Sequence, residues 1–157
     1  AMGHSMGGGS AILAARFSPS VRSLAILSPL DTRPSSINAA SEIEIPSLII
    51  AGKNDCVTRP EIHQVPIYSN LKSHSKIIIT IKGASHCQMA DRSTKCRLAE
   101  STCKPGPDIT DKAQQAIVLK YLLPWLNFHL KGDLASAEQF DALLESDPSI
   151  ESERKNK

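Results

Sequence analysis

A serine placed between glycines near the start of the chain restricts the fold more than any other feature. Residues 3–9 read Gly-His-Ser-Met-Gly-Gly-Gly, which has the form Gly-x-Ser-x-Gly around Ser5. This pattern is typical of a sharp turn from a β-strand into an α-helix, because glycines on both sides let the backbone turn tightly. The serine hydroxyl then projects at the start of the helix. We therefore predict that Ser5 is a nucleophile, with helix N-capping as the alternative role.

The rest of the chain alternates short apolar runs with longer segments of helical character. Buried strands are predicted at residues 23–28, 47–51 and 76–81, where apolar residues are nearly continuous. Helices are predicted at residues 7–17, 60–71 (with an imperfect pattern), 110–130 (with a kink at Pro124) and 136–144. This alternation predicts an α/β fold in which helices cover both faces of a parallel sheet.

The boundaries of the domain follow from the same reading. Residues 1–144 are expected to form a partial α/β domain, and the charged segment 145–157, which lacks aromatic residues, is expected to fray. Only Ala1 and Met2 precede the glycine–serine motif, although such a turn needs a strand before it. We therefore expect an N-terminal remainder in a longer protein. The alternative is a complete small domain with a mobile, glycine-rich N-terminus.

Composition excludes several classes of function. The 157 residues are 41% hydrophobic and 22% charged, which is ordinary for a globular domain that can bury a core. The net charge is only +2 and the basic residues are scattered, so nucleic acid is not an expected partner. The apolar runs have the length of strands and are too short to span a membrane.

Four cysteines, at positions 56, 87, 96 and 103, bear on metal binding and on cellular location. No Cys-x-x-Cys or Cys/His spacing typical of zinc is present, so we expect no metal site and assign no cofactor. The even number, with Cys96 and Cys103 in one polar loop, predicts at least one disulfide and a secreted or periplasmic protein. Four reduced thiols in a cytoplasmic protein are the alternative. The expected bridge is Cys96–Cys103, and a second between Cys56 and Cys87 is conceivable.

An acid and a histidine follow the later strands in a suggestive order. Asp55 comes after the second predicted strand and His86 after the third, and parallel strands bring their carboxyl ends to one edge of a sheet. We expect both to meet Ser5 there. Asp31 is an alternative acid. His63 and His74 are alternative bases that we expect on the surface; His4 is expected to pack beside the serine, and His129 has no partner suggested by the sequence.

These residue types support nucleophilic catalysis. His86 would take the proton of Ser5, and Asp55 would hold the imidazole in the correct tautomer. The backbone N–H of Met6 would stabilise the oxyanion. A second donor is expected from a loop before the motif, so we expect the chain alone to be inactive or nearly so.

Three segments resemble the α/β-hydrolase superfamily: Gly-His-Ser-Met-Gly-Gly-Gly at Ser5, Ala-Gly-Lys-Asn-Asp at Asp55 and Gly-Ala-Ser-His at His86. The resemblance covers residues 1 to about 130. It is greatest to the branch that contains cutinase-like, dienelactone-hydrolase-like and platelet-activating-factor acetylhydrolase-like esterases. It implies a serine esterase that works through an acyl-enzyme on Ser5, with Asp55 and His86 completing the triad.

One departure from the cutinase-like pattern bears on the substrate. Those enzymes carry an aromatic residue after the strand that follows the serine helix, whereas residues 28–31 here read Ser-Pro-Leu-Asp. Trp125, the single tryptophan, is expected in the core. A small-molecule ester is therefore a better expectation than a polyester. An amide or thioester hydrolase with the same triad and a non-catalytic binding domain are the alternatives.

Overall fold

A computed structural model describes residues 1–156 of the protein. Its strands are β1 (Met2–His4), β2 (Leu24–Leu27), β3 (Ser47–Gly52), β4 (Ser75–Ile81) and β5 (Ile150–Asn156). Its α-helices are α1 (Met6–Phe17), α2 (Ser36–Ala40), α3 (Gln64–Asn70), α4 (Thr94–Glu100), α5 (Asp111–Lys131) and α6 (Leu134–Ser146), with a 3₁₀ turn at Cys87–Met89.

The five strands form one sheet in the order β1-β2-β3-β4-β5. The first four strands are parallel, and β5 runs antiparallel to β4. The loops that follow β1, β3 and β4 therefore leave the sheet at the same edge. The α/β fold predicted from the sequence is confirmed.

Helices cover both faces of this sheet, and β3 shows why its sequence is apolar throughout. Leu48 and Ile50 point to a core shared with α5 and α6, whereas Ile49 points to a core shared with α1, α2 and α3. All three side chains are fully buried. A strand buried on both faces has no polar side to show, so its residues read as a continuous apolar run.

The expectation that residues 145–157 fray is wrong for the described part of that segment. Helix α6 continues to Ser146, and β5 pairs along the whole of β4, with Ile150 opposite Ile81. Ile150 is buried, while Glu151 forms an exposed ion pair with Lys53. Charged residues are common on edge strands because they discourage pairing with other chains. The domain therefore extends to residue 156, and Lys157 lies outside the described residues.

Over residues 1–156, no helix is both long enough and apolar enough to cross a membrane. The longest, α5, runs through Pro124 and carries charged residues at both ends, among them Asp111 and Lys131.

Candidate active site

Ser5 occupies the turn between β1 and α1 in a backbone conformation that residues other than glycine rarely adopt. Its φ is 57° and its ψ is −124°. Such a conformation costs about 1–3 kcal/mol and persists only where neighbouring bonds impose it. Here the Ser5 N–H donates to the carbonyl of Leu27 at 3.0 Å, and the Ser5 carbonyl accepts from Leu30 N–H at 3.1 Å. The Ser5 hydroxyl makes no capping bond to α1, so the N-cap alternative is wrong.

The glycines around Ser5 contribute unequally to this turn. A Cβ on Gly3 would lie 2.1 Å from the carbonyl oxygen of Gly7, so no side chain fits at position 3. A Cβ on Gly7 would meet nothing within 4 Å. A Cβ on Gly9 would lie 2.4 Å from the Leu30 carbonyl oxygen, which shows how closely α1 approaches the loop after β2. The steric need predicted for both flanking glycines therefore holds for Gly3 alone.

Asp55 and His86 meet at the edge of the sheet where β3 and β4 end. The Oδ2 atom of Asp55 lies 2.9 Å from the Nδ1 atom of His86. Asp55 is 3% exposed and His86 is 2% exposed, so bulk water does not compete for this bond. The sequence reasoning that brought this acid and this histidine to one edge matches the geometry.

The carboxylate of Asp55 is held by three further hydrogen bonds. Its Oδ1 accepts from the backbone N–H groups of Val57 at 3.0 Å and Thr58 at 2.7 Å. Its Oδ2 lies 2.9 Å from the Thr58 hydroxyl. Burial alone would raise the pKa of Asp55. The hydrogen bond and charge of His86, together with the bonds from Thr58, outweigh burial and hold that pKa below its usual value.

His4 connects the serine turn to His86. Its Nε2 lies 3.1 Å from the carbonyl oxygen of His86, and the two ring centroids are 4.6 Å apart. Burial and the neighbouring His86 lower the pKa of His4, against the opposing effect of its bond to the His86 carbonyl. His4 therefore packs on the ring of His86 in surroundings that disfavour its charged form. Since His4 directly precedes Ser5, the turn and the Asp55–His86 pair are neighbours.

The alternative acid has a different role. The Asp31 carboxylate accepts from the Ser35 hydroxyl at 2.8 Å and from the N–H of Ile37 at 3.0 Å, at the start of α2. These bonds lower the pKa of Asp31, although burial opposes the shift. Asp31 thus stabilises a helix end rather than a histidine.

The remaining histidines also have other surroundings. His63 accepts from the N–H of Asp31 at 3.3 Å and is half-buried, so the expectation that it lies on the surface is only partly right. His74 is exposed. His129 packs against Trp125, with ring centroids 4.1 Å apart, and Trp125 is buried in the core.

Two polar residues next to the Asp55–His86 pair were missed by the sequence reasoning. Thr58 is 2% exposed and Gln64 is fully buried. The Gln64 amide nitrogen lies 3.1 Å from the Thr58 hydroxyl, which in turn contacts both members of the pair. The one available signal was the spacing Asp-x-x-Thr after a strand, which is typical of a turn closed by a side chain.

The disulfides confirm that cysteines pair, but the pairing differs from the one expected. Cys56 is bonded to Cys103, and Cys87 is bonded to Cys96. The expected Cys96–Cys103 bridge does not form, because Cys96 lies within α4 and is bonded to Cys87, whereas Cys103 follows the end of α4 and is bonded to Cys56. Cys96 meets the 3₁₀ turn after His86, and Cys103 meets the turn after Asp55. The segment 87–108 is thereby fastened beside both residues of the pair.

Met6 is the first residue of α1, so its N–H has no acceptor within the helix and is available at the serine turn. Among residues 1–156, no group of three histidine, cysteine or acidic side chains is placed to hold a metal ion.

A strained strand–helix turn at Ser5, connected through His4 to a buried Asp–His pair on a mostly parallel sheet, is typical of the α/β-hydrolase class. Comparison with known proteins identifies the family within this class. The family described as "PETase: PET hydrolase-like" matches residues 1–103, and the chain belongs to this family.

Curated relatives agree with the family assignment at low identity. The chain is 28% identical over 133 residues to Cutinase 1 of Thermobifida cellulosilytica, covering 84% of this chain and 41% of that protein. It is 33% identical over 86 residues to Cutinase est2 of Thermobifida alba, covering 54% of this chain and 27% of that protein. It is 31% identical over 86 residues to a bis(hydroxyethyl) terephthalate hydrolase of Streptomyces coelicolor, covering 54% and 26% respectively. The matches thus span less than half the length of each relative.

Proposed function

We propose that the protein is a serine hydrolase that cleaves carboxylic esters, with Ser5 as nucleophile, His86 as base and Asp55 as the residue that orients His86. The observation that carries this proposal is the buried Asp55–His86 hydrogen bond of 2.9 Å, next to Ser5 in its strained turn. The names of the relatives, which are cutinases and a bis(hydroxyethyl) terephthalate hydrolase, support an ester as the substrate.

The reaction follows from the roles of the two ring nitrogens of His86. Nδ1 is bound by Asp55, which leaves Nε2 to accept the proton of Ser5 as the hydroxyl oxygen attacks the ester carbonyl carbon. When the tetrahedral intermediate collapses, the bond to the alcohol oxygen breaks and His86 returns the proton to that oxygen. Water, activated by the same nitrogen, then attacks the acyl-enzyme and releases the carboxylic acid and Ser5.

One of the two hydrogen-bond donors expected to stabilise the oxyanion is present in this chain. The N–H of Met6 is the proposed donor, since it lies directly after Ser5 at the start of α1. We propose that a second donor and part of the substrate pocket belong to a segment before the serine motif, because α/β-hydrolases take their second oxyanion N–H from a loop that precedes the nucleophile. The matched regions cover 27% and 41% of two curated relatives, which leaves room for such a segment. The expectation that residues 1–157 alone are inactive depends on this proposal.

The residues near the site favour a small ester over a polyester. The segment after β2 contains Ser28, Pro29 and Leu30, and no aromatic side chain stands there to clamp a ring of a polymer. Trp125 is 5% exposed and donates its ring N–H to the Ser23 hydroxyl, so it belongs to the core.

The two disulfides support an oxidising compartment, and we propose that the protein is secreted or periplasmic. Cysteine pairs of this kind are rare in the reducing cytoplasm, which makes that location the weaker alternative.

A fluorophosphonate probe tests the proposal on the full-length protein. Covalent labelling is expected at Ser5, and it should disappear in Ser5→Ala. Ser10→Ala is a matched control, since Ser10 is exposed on α1 one helix turn further on. It should label like the wild type. Folded full-length protein that is not labelled would contradict the proposal and favour a non-catalytic binding role.

A further inference from the structure

We propose that Thr58 is a positioning residue for the Asp55–His86 pair and that Gln64 holds the Thr58 hydroxyl in place for this role. The inference rests on the proposed function for its meaning in catalysis. The structural part of it concerns four buried side chains that form one hydrogen-bonded group.

Thr58 contacts both carboxylate oxygens of Asp55 and the Nδ1 atom of His86. Its hydroxyl oxygen lies 2.9 Å from Oδ2 of Asp55 and 2.9 Å from Nδ1 of His86. Its backbone N–H donates to Oδ1 of Asp55 at 2.7 Å. One residue thus binds both carboxylate oxygens and lies beside the nitrogen that the carboxylate must hold.

The surroundings of Gln64 determine the direction of the hydroxyl bond. The Gln64 amide nitrogen is 2.6 Å from the carbonyl oxygen of Thr58 and 3.2 Å from that of Pro29. Carbonyl oxygens only accept, so the nitrogen of the amide must face them and the amide cannot be flipped. The same nitrogen lies 3.1 Å from the Thr58 hydroxyl oxygen, so one of its two N–H groups is shared between that oxygen and a carbonyl.

The proton of the Thr58 hydroxyl is then directed to an acceptor. Two are in reach: Oδ2 of Asp55 at 2.9 Å and the carbonyl oxygen of Ser28 at 3.2 Å. The carboxylate is closer and charged, and hydrogen bonds to ionised acceptors are the stronger ones. With this bond, each oxygen of Asp55 has two donors, and the carboxylate has no freedom to rotate away from His86.

The same group also fixes the pair relative to the nucleophile. Thr58 and Gln64 contact the carbonyls of Ser28 and Pro29, which follow β2. The flanking residues of that segment are bonded to the backbone of Ser5, through Leu27 and Leu30. Ser28 has a φ of 39°, which is also a backbone conformation that residues other than glycine rarely adopt. The positive φ at Ser28 belongs to the segment that connects the acid–base pair to the serine turn.

The effect on catalysis should be on turnover rather than on substrate binding. Thr58 is buried behind the pair and does not line an open surface. Thr58→Val keeps the shape and the backbone N–H but removes the hydroxyl. Loss of one hydrogen bond to a charged group corresponds to a decrease in kcat of about 10- to 100-fold, with KM nearly unchanged. Thr58→Ser should restore most of the rate. Thr80→Val, in β4, is the matched control, because the hydrogen bonds of Asp55 and His86 do not involve the Thr80 hydroxyl.

Proton NMR of the histidine ring N–H tests the inference without any need for ester hydrolysis. In wild-type protein, a downfield resonance is expected for the Nδ1–H of His86, because the proton lies between Asp55 and Thr58 in a buried site. It should shift in Thr58→Val, return in Thr58→Ser, and stay unchanged in Thr80→Val. If Thr58→Val does not fold, Gln64→Met, which removes the donor to Thr58, should also shift the resonance. An unchanged resonance in either folded variant would overturn the proposal, and so would a rise in KM at constant kcat. Failure of fluorophosphonate labelling would count against the hydrolase function alone.

Discussion

The Nδ1 atom of His86 lies 2.9 Å from Oδ2 of Asp55, and both side chains are almost completely buried. They are separated by 31 positions in the chain and meet because β3 and β4 are adjacent and parallel. The strand order therefore determines which acid pairs with which histidine.

Asp55→Asn should abolish most of the activity. An amide at this position no longer fixes the imidazole tautomer, and a loss of this kind costs about 10⁴-fold in turnover in enzymes with such a triad. The measurement is kcat for a chromogenic ester with the full-length protein. Asp31→Asn is the control, since Asp31 binds the start of α2, and it should retain activity within a few-fold. A larger loss in Asp31→Asn than in Asp55→Asn would reverse the assignment of the acid.

The lowered pKa of Asp55 predicts how stability changes in acid. In the unfolded chain the carboxyl group titrates near 3.8, and in the folded protein it titrates at a lower pH. As the pH falls below about 4, the unfolded state binds a proton first, so the free energy of unfolding decreases until the folded state is also protonated. Urea unfolding of the wild type and of Asp55→Asn, at pH values from about 3 to about 6, checks this prediction, because this range includes the titration of the unfolded carboxyl group. The variant should lose less stability on acidification, and equal slopes would contradict the prediction.

Alanine substitutions at the two glycines that flank Ser5 should have opposite effects on the free energy of unfolding. Gly3→Ala places a methyl group 2.1 Å from a backbone oxygen and should destabilise the protein by about 3 kcal/mol or more. Gly7→Ala meets no atom within 4 Å and lies in α1, so it should be neutral or stabilise by about 0.5–1 kcal/mol. Thermal unfolding of the two variants provides the comparison. Similar destabilisation by both would show that the turn is held in another way.

The disulfides should contribute according to the length of chain that each encloses. Cys56–Cys103 spans 47 positions and Cys87–Cys96 spans 9. The chain-entropy estimate is about 4 kcal/mol for the first and about 2.5 kcal/mol for the second. Unfolding of the Cys56→Ser/Cys103→Ser and Cys87→Ser/Cys96→Ser double variants should show this order. Peptide mapping without reduction should recover the same two pairs, and a peptide that links Cys96 to Cys103 would contradict the arrangement.

The C-terminal strand should contribute to stability through its one buried apolar residue. Ile150→Ala removes a buried side chain next to Ile81 and should cost about 2 kcal/mol. Glu151→Ala, on the neighbouring exposed position, breaks only a surface ion pair with Lys53 and should cost less than about 1 kcal/mol. Equal and small effects in both variants, measured by urea unfolding, would mean that residues 150–156 do not form a stable strand.

The sequence predicted the sheet and the meeting of Asp55 with His86 because both depend on strong local signals. Continuous apolar runs mark the parallel strands, and parallel strands end at one edge. Asp31 and Asp55 both follow such strands, and the sequence favoured Asp55 but left Asp31 open as an alternative acid. The separation comes from the hydrogen bonds of Asp31 to α2 and of Asp55 to His86.

Other features could not be predicted because they depend on contacts between distant loops. Thr58 and Gln64 belong to no periodic pattern, and their role appears only when the segment after β2 lies beside them. The cysteine pairing depends on α4, which carries Cys96 to the 3₁₀ turn at Cys87, while Cys103 lies beyond the end of the helix and meets Cys56. β5 was missed because an edge strand of charged residues has the composition of a disordered tail.

Trapping of the acyl-enzyme is the most direct test that Ser5 is the nucleophile and His86 the base. Full-length protein is mixed with a chromogenic ester, quenched within the first turnover and digested for mass spectrometry. We expect a burst of released alcohol and an acyl group on the peptide that contains Ser5, both absent in Ser5→Ala and in His86→Gln. Ester turnover that continues in Ser5→Ala, or an acyl group found on another residue, would contradict it.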